Sequence, residues 1–375
     1  MTLNYTATCL FGLEGFLGEE IEQLGYKRIN NMDGRITFEG DENTAAICSV
    51  NLRYAERLYL NLGSYHAETF TDLFDGAKSI PWEDVIGRED EFPVSGHSIK
   101  SKLFSVPDCQ RIIKKAVSVR LGEKYGITRL PETGVKYKIE FFLFKDNITL
   151  MIDLSGVPLH KRGYRPETVE APIRETLAAA MVKIARMREN VLLWDPFCGS
   201  GTIAIEAAMQ MKNIAPGMKR SFAAEKFPLF PAESWAEARA RAEAAVRDTA
   251  FRAYATDIDP KCVEVAQASA KRAGVDNMIN IFEMDALDID SMGMRGTIVS
   301  NPPYGERLLT HEEADDLYRA MGQAFARLEN WQIYIITQSE VFPKLYGRRA
   351  DKIRKLYNGM IPCYYYQFFK KKASE

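Results

Sequence analysis

The chain has 375 residues, 46% of them hydrophobic, with 49 Lys and Arg nearly balanced by 51 Asp and Glu. That length allows two or three domains, each burying its own core, and no run of about 18 apolar residues marks a membrane-spanning helix, so a multidomain soluble protein is expected. The start, MTLNYTATCLFGLEGFLGEE, has no basic leader ahead of an apolar run. The six cysteines form no C-x-x-C pair, so neither export, a disulfide framework nor a metal site is expected, and the cytoplasm is the expected compartment.

Residues 1–64 alternate short apolar runs (TATCLFG, RITFEG, RLYLNLG) with helix-like stretches (GFLGEEIEQLG, DENTAAICSVNLR), a pattern compatible with a small α+β, ferredoxin-like module. Residues 65–155 repeat the arrangement: a helical DLFDGAKSI, a strand-like FPVSGHSIKS, a basic helix PDCQRIIKKAVSVRLGEKYG, then the strands VKYKIEFFLFKD and ITLMIDLSG. A polar linker over 156–170 leads into an amphipathic helix, and from 171 to 375 the pattern becomes strand, loop, helix. VLLWD, RAYATD, INIFEMD, GTIVSN and WQIYIIT read as strands of a largely parallel, doubly wound α/β sheet. KIRKLY and IPCYYYQFF flank Asn358-Gly359, a hairpin signal that makes the last strand antiparallel. A Rossmann-like domain of the methyltransferase class shows this ending.

The near-neutral charge hides regional differences. Residues 1–64 hold five basic and nine acidic side chains, whereas residues 95–124 hold seven basic (Lys100, Lys102, Arg111, Lys114, Lys115, Arg120, Lys124) against Asp108 and Glu123. The tail from Lys344 to Lys372 is also basic. Such clusters are either solvated faces or phosphate-binding surfaces.

Two motifs carry chemistry: DPFCGSGTIAIEA (195–207) and NPPYGER (301–307), each directly after an apolar strand. In open α/β sheets ligands bind beyond the carboxyl ends of the strands, where the strand order reverses. Gly199, Gly201 and Ala204 satisfy G-x-G-x-x-A, but a dinucleotide fingerprint wants an acid about 20 residues on. Here the next strand's acid, Asp257, lies far downstream, beyond a long insertion at 213–250. S-adenosylmethionine suits the same residues. Gly199 and Gly201 let the backbone approach its methionine part, Asp195 meets the amino group, Asp257 accepts from the ribose hydroxyls, and Asp285 accepts from the adenine amine. Pro196, Thr202, Ile258, Ala286 and Asn301 complete this candidate cofactor set. An Asp after a strand is otherwise a helix N-cap, and Asp259 reads as one.

In NPPYGER the prolines rigidify the turn and leave carbonyls free for a ligand. The Asn301 side-chain oxygen and the Pro302 carbonyl can hold the hydrogens of a base amine and aim its nitrogen at a sulfonium methyl, so orientation rather than a strong base provides the catalysis. Tyr304 can stack on the base, a contact of about 1–3 kcal/mol. A plain Pro-Pro turn is the better account of Glu306 and Arg307. Arg162 and Arg165 suit a cofactor carboxylate, a phosphate or solvent equally. Cys198 has no histidine near it in sequence, so small size rather than nucleophilicity explains it. The run Tyr364, Tyr365, Tyr366, Phe368, Phe369 reads as strand core.

Through HKRGYRP, APIRETLAAAMV, DPFCGSGTIAIEAA, TDIDP and NPPYGERL, the chain resembles, over nearly its full length, the THUMP-containing RNA guanine-N2 methyltransferases, in particular their ribosomal large-subunit branch. The resemblance implies a ferredoxin-like first module, a THUMP RNA-binding second module and a catalytic third. It implies that Pro172 and Arg174 lie near the cofactor's methionine end, and that a guanine amine in 23S rRNA is the target. Some members carry a second methyltransferase domain; with the chain stopping at Glu375, dual activity is not expected. Placed in a THUMP module, the basic helix makes Lys114, Lys115 and Arg120 candidate RNA contacts. A tRNA guanine methyltransferase, a DNA adenine-N6 methyltransferase and a non-catalytic RNA-binding assembly factor are the alternatives. No obligate protein partner is expected.

Overall fold

The computed structural model describes residues 2–165, 173–304 and 310–370. Side-chain alternation sets up the first sheet. In β1 (Leu3–Thr8), Tyr5 and Ala7 are fully buried, while Thr6 turns its hydroxyl to that of Thr37, 3.0 Å away. There follow α1 (Glu14–Gln23), β2 (Arg28–Met32), β3 (Arg35–Gly40), α2 (Thr44–Asn51), β4 (Arg57–His66), α3 (Phe70–Ser79), β5 (Val94–Ile99), α4 (Val106–Tyr125), β6 (Ile139–Phe144) and β7 (Asn147–Asp153). Helix α4 has Pro107 in its first turn and stops at Gly126, whose φ of +65° is the left-handed C-terminal cap that glycine adopts without strain.

The seven strands form one sheet in the order β2-β3-β1-β4-β7-β6-β5, antiparallel except for β5 beside β6. Strand β4 pairs with β1 through Arg57–Leu60 and with β7 through Tyr59–His66, so position 64/65 falls inside a strand shared by the first two modules.

Segment 156–165, expected as a linker, is tied to both sides. The Leu159 amide donates to the Glu56 carbonyl, and Arg220 donates to the carbonyls of Val157, Pro158 and Lys161 at 2.6–2.8 Å. Arg162, 3% exposed, donates to the carbonyls of Leu159 and Arg53 and faces Glu206 at 3.6 Å. It is therefore shielded from solvent and held in the seam.

The second sheet comprises β8 (Leu192–Asp195), β9 (Ala253–Asp257), β10 (Ile279–Glu283), β11 (Gly296–Ser300), β12 (Gln332–Thr337), β13 (Lys352–Asn358) and β14 (Ile361–Phe368). Helices α5 (Glu175–Ala185), α6 (Thr202–Met211), α7 (Ala232–Ala244), α8 (Pro260–Ala273) and α9 (His311–Phe325) accompany it. The order is β10-β9-β8-β11-β12-β14-β13, with β14 antiparallel to both neighbours. Its central strands are buried on both faces, and so read as continuous apolar runs. Gly296 opens β11 because the Trp331 ring lies 2.3 Å from where a Cβ would stand. Asn358 pairs with Ile361, so the hairpin turn is Gly359-Met360, one residue later than the Asn-Gly signal suggested. Tyr365, Tyr366 and Phe368 are buried as strand core, whereas Tyr364 is half-buried and Phe369, 39% exposed, lies past the end of β14.

The insertion at 213–250 carries α7, which packs on α2. The Gly217 amide donates to the Val50 carbonyl at 2.9 Å, and a Cβ at Gly217 would sit 2.5 Å from the Ser49 carbonyl, so only glycine permits this approach. One hydrophobic cluster runs from Leu3 in β1 to Tyr365 in β14; a second, including Trp331 and Phe342, fills the other face of the second sheet. Among the described residues no helix is long and apolar enough to cross a membrane.

Candidate functional site

Strand order reverses between β8 and β11, and the two motifs stand at the ends of these two neighbouring strands. Asp195, 1% exposed, closes β8; Ser300, fully buried, closes β11. The Ser300 hydroxyl donates to Asp195 Oδ1 at 2.5 Å, and the Phe197 amide donates to the same oxygen at 3.3 Å. Burial pushes the Asp195 carboxyl up to about 7, against the lowering effect of these two hydrogen bonds and with a further push from the Asp257 charge. A buried carboxylate so held favours a cationic partner.

The loop after Asp195 is built by its own backbone. The Cys198 amide donates to the Thr256 carbonyl and the Gly201 amide to the Cys198 carbonyl. Gly199 (φ +50°) and Gly201 (φ +77°) take the left-handed conformation, and Gly201 precedes the first turn of α6. A Cβ at Gly199 would meet nothing within 4 Å: the backbone there borders open space. The Gly199 amide donates to Asp257 Oδ2 at 2.9 Å, and the Asp259 amide to Oδ1 at 3.1 Å, so the carboxylate that closes β9 is aimed by two backbone groups. Beside it Ile258 is 68% exposed, a large apolar side chain left uncovered next to the carboxylate. Asp259 caps α8 through the Lys261 amide, as its sequence suggested. Asp285 follows β10 and also caps, accepting from the Leu287 amide with Oδ1; Ala286 behind it is buried.

These features fit S-adenosylmethionine. The buried Asp195 suits an ammonium, the bare Gly199 backbone leaves room for the methionine chain, the aimed Asp257 suits ribose hydroxyls, and exposed Ile258 suits a purine face. Pro196 and Thr202 are buried supports of the loop rather than open contacts. Thr202 Oγ1 lies 3.0 Å from Ser200 Oγ and 3.3 Å from Arg165, whose guanidinium pairs with Glu175 at 3.2 Å. Burial holds the Cys198 thiol well above its ordinary value, so it is packing rather than a nucleophile.

Past Ser300, Asn301 is half-buried, Pro302 is buried, and Tyr304 packs half-buried against the second hydrophobic cluster. A directed chain of hydrogen bonds braces this turn. The Ser339 amide donates to Thr337 Oγ1 at 3.2 Å, Thr337 stands 2.8 Å from the Tyr318 hydroxyl, and Tyr318 donates to the Pro303 carbonyl at 3.2 Å. With its one proton spent on Pro303, Tyr318 must accept from Thr337, whose proton is free because its oxygen takes the Ser339 amide. Neither Ser300 nor Tyr318 was singled out from sequence. Ser300 was readable as the neighbour of Asn301 at a strand end, whereas nothing in the α9 sequence points to Tyr318.

Pro172 is outside the described residues, as are Gly305–Arg307 of the second motif. Arg174 precedes α5 and pairs with Glu56 at 2.5 Å, beside the Gly359 turn. On α4, Lys114 pairs with Glu132 at 2.5 Å and stands over the Phe92 ring at 3.6 Å, while Arg120 forks onto Glu83 at 2.5 and 2.9 Å. Lys115 is exposed.

Family models match all three segments: an RlmL ferredoxin-like domain at residues 4–59, a THUMP domain at 67–153 and an RMKL-like methyltransferase domain at 162–367. The chain is 43% identical to "Putative RNA methyltransferase YpsC" of Bacillus subtilis, over 97% of this chain and 95% of that protein. It is 33% identical to "Ribosomal RNA large subunit methyltransferase K/L" of Vibrio parahaemolyticus, over 96% of this chain but only 52% of that protein, so it spans about half the length of that relative. In fold it is similar to SMU.472, a putative methyltransferase whose crystal structure was solved with SAH, at 37% identity and a TM-score of 0.91, covering 100% of this chain and 99% of that one. The chain therefore belongs to the THUMP-containing, RlmK/L-like family of S-adenosylmethionine-dependent methyltransferases.

Proposed function

We propose that this chain methylates the exocyclic N2 amine of a guanine in RNA, with 23S rRNA as the RNA, and that its units divide near residues 65 and 160. The observation that carries the reading is the Ser300–Asp195 hydrogen bond, which ties the amine-holding turn to the cofactor loop across the switch point. Bound S-adenosylmethionine supplies an electrophilic methyl group on its sulfonium.

The chain's own residues do the rest. Asp195 takes the cofactor's ammonium end with Gly199 and Gly201 leaving it room, and Asp257, Ile258 and Asp285 receive the nucleoside end. The Asn301 side-chain oxygen and the Pro302 carbonyl accept the two hydrogens of the base amine, whose lone pair is delocalised into the ring. Neither group is a strong base, so holding the nitrogen in line supplies the rate, and the amine proton that the methyl group replaces leaves to water. The hydrogen-bond chain through Tyr318 occupies the Pro303 carbonyl and stiffens the turn that presents Pro302. Tyr304 stacks on the base, which must leave any helix it occupies at a cost of a few kcal/mol. The THUMP module supports RNA as the acceptor, and the ribosomal relatives' names support rRNA.

The test is transfer of radiolabelled methyl to separated 23S rRNA, 16S rRNA and tRNA from a strain lacking this gene, followed by nucleoside analysis. N2-methylguanosine from 23S rRNA is the expected product. Label in tRNA alone replaces the RNA and keeps the chemistry; label in N6-methyladenosine sinks the guanine reading.

A further inference from the structure

Most of the cations that sequence placed in and beside an RNA-binding helix are already paired. Of the seven between residues 95 and 124, Lys102 pairs with Glu68, Arg111 with Asp108, Lys114 with Glu132, and Arg120 and Lys124 with Glu83. Only Lys100 and Lys115 stand without an ion pair among the described residues. The segment from Lys344 to Lys355 is the reverse. It holds Lys344, Arg348, Arg349, Lys352, Arg354 and Lys355 against one acid, Asp351, and among the described residues only Arg348 of these is in an ion pair. Lys344, Arg349, Lys352 and Lys355 are exposed.

This stripe has a direction. Strand β13 is the outermost strand of the catalytic sheet. Lys355 faces Tyr364 of β14, which faces Thr337 at the carboxyl end of β12, so β13 climbs from Lys352 towards the end of the sheet where Asn301 lies. Three strand spacings, about 14 Å, separate β13 from β11. Apolar side chains interleave with the cations: Ile353 is 52% exposed, Ile361 37%, and Met360 at the hairpin tip 86%. The surface then continues onto the first module. Phe11 packs edge-on against Tyr357 at 5.6 Å, Lys355 lies 5.8 Å from the Tyr357 ring, and Arg354 lies 5.8 Å from the Phe16 ring.

We propose that this outer edge of the catalytic sheet, β13 with the segment leading into it, takes the phosphate backbone of the RNA whose base enters the site, a role the sequence suggested for α4. The inference rests on the reading that the substrate is RNA. Free cations can release counterions from phosphates, whereas cations already paired with carboxylates must first give up those partners. The interleaved apolar groups suit ribose and base surfaces. A second copy of this chain is the poorer occupant, because edge-to-edge pairing would set Lys352, Arg354 and Lys355 against like charges.

The test compares two charge-reversed proteins with the unsubstituted one: Arg349→Glu with Lys352→Glu and Lys355→Glu, and Lys100→Glu with Lys115→Glu. Binding of transcribed 23S rRNA is measured across a KCl series, with S-adenosylmethionine affinity and Tm as folding controls. For the edge variant we expect affinity weakened by about tenfold or more, and the slope of log K against log salt reduced by about 2–3. Cofactor affinity stays unchanged, and the second variant loses clearly less. An edge variant that matches the unsubstituted protein overturns the proposal, as does a larger loss in the second variant. So does a dimer that the edge variant converts to monomer. Absence of salt-dependent RNA binding by the unsubstituted protein overturns the RNA reading itself, and this inference with it.

Discussion

Among the described residues there are two sheets of seven strands, and the candidate site lies at the rim of the second. In the first, neighbouring strands are antiparallel except for one pair, and their carboxyl ends are distributed over both sides. In the second, five parallel strands bring Asp195, the Asp257 carboxylate, the turn after β10 and Asn301 to one rim, with the order reversing between β8 and β11. Strand count and burial therefore say little about where chemistry happens. Strand direction and the point of reversal say most of it, because that is where loops diverge and leave a crevice.

If the reversal is what matters, substitutions on either side of it should separate amine chemistry from cofactor binding. Asn301→Ala is expected to lower methyl transfer by roughly 1000-fold or more while leaving cofactor affinity nearly unchanged, since it removes the acceptor that orients the amine. Asp257→Ala, on the other side, should weaken S-adenosylhomocysteine binding by about 2–3 kcal/mol, roughly 30- to 150-fold. Calorimetry and single-turnover transfer read the two effects separately. Near-normal turnover of the Asn301 variant would refute the amine geometry.

A pH series sharpens the role of Asp195. Its carboxyl is pushed up to about 7 in the unliganded protein, so below that pH it carries a proton that an incoming ammonium must displace. S-adenosylhomocysteine affinity should then fall by about tenfold per pH unit below 7 and level off above it. The same shift means that the unliganded fold holds this proton more tightly than the unfolded chain, so the group's contribution to stability declines as pH rises from about 4 to 7. Asp195→Asn should bind weakly and without that slope. A flat profile for the unsubstituted protein between pH 5.5 and 7.5 would remove Asp195 as the ammonium's partner.

The strand ends and loop that carry the candidate site residues were legible in sequence because their parts are local. Each strand end carries its own acid or Asn, and the glycines sit in the loop they shape. What was not legible is what long-range pairing decides. Strand β2 is polar and mostly exposed, so its residues lack the alternation that reveals a strand. Lys114, Arg120 and Lys124 of α4 read as free because Glu83 and Glu132, which neutralise them, lie in other elements. The segment 156–165 read as a linker because its partners Glu56, Glu206 and Arg220 are remote in sequence.

The brace on the Asn301 turn is a smaller and more specific test. Tyr318→Phe removes only the hydroxyl that holds the Pro303 carbonyl, and Thr337→Val removes the oxygen that orders it. Each should cost about tenfold in kcat with cofactor affinity unchanged, and the double variant should cost little more than either one, since both break the same chain. Thr337→Ser keeps the oxygen and should restore turnover. Additive losses, or a parallel loss of cofactor affinity, would make these groups part of the general packing.

The least effect on chemistry is expected where the two sheets are joined. Burial alone would raise the Glu56 carboxyl, but His160 with Nδ1 2.8 Å away, the Thr176 hydroxyl and the Arg174 charge more than offset it and hold the group at about 2. A carboxyl lowered in this way contributes stability above about pH 4.5 and loses it as pH falls towards 2. Glu56→Gln should therefore destabilise the protein by about 1–3 kcal/mol at neutral pH, seen as a lower Tm, and flatten the acid side of the stability curve. Turnover and cofactor affinity should stay within about twofold of the unsubstituted protein, because Arg174 then acts in the seam alone. A clear drop in cofactor affinity would show instead that Glu56 holds Arg174 for the cofactor, making the first sheet part of the site that its own strand order does not form.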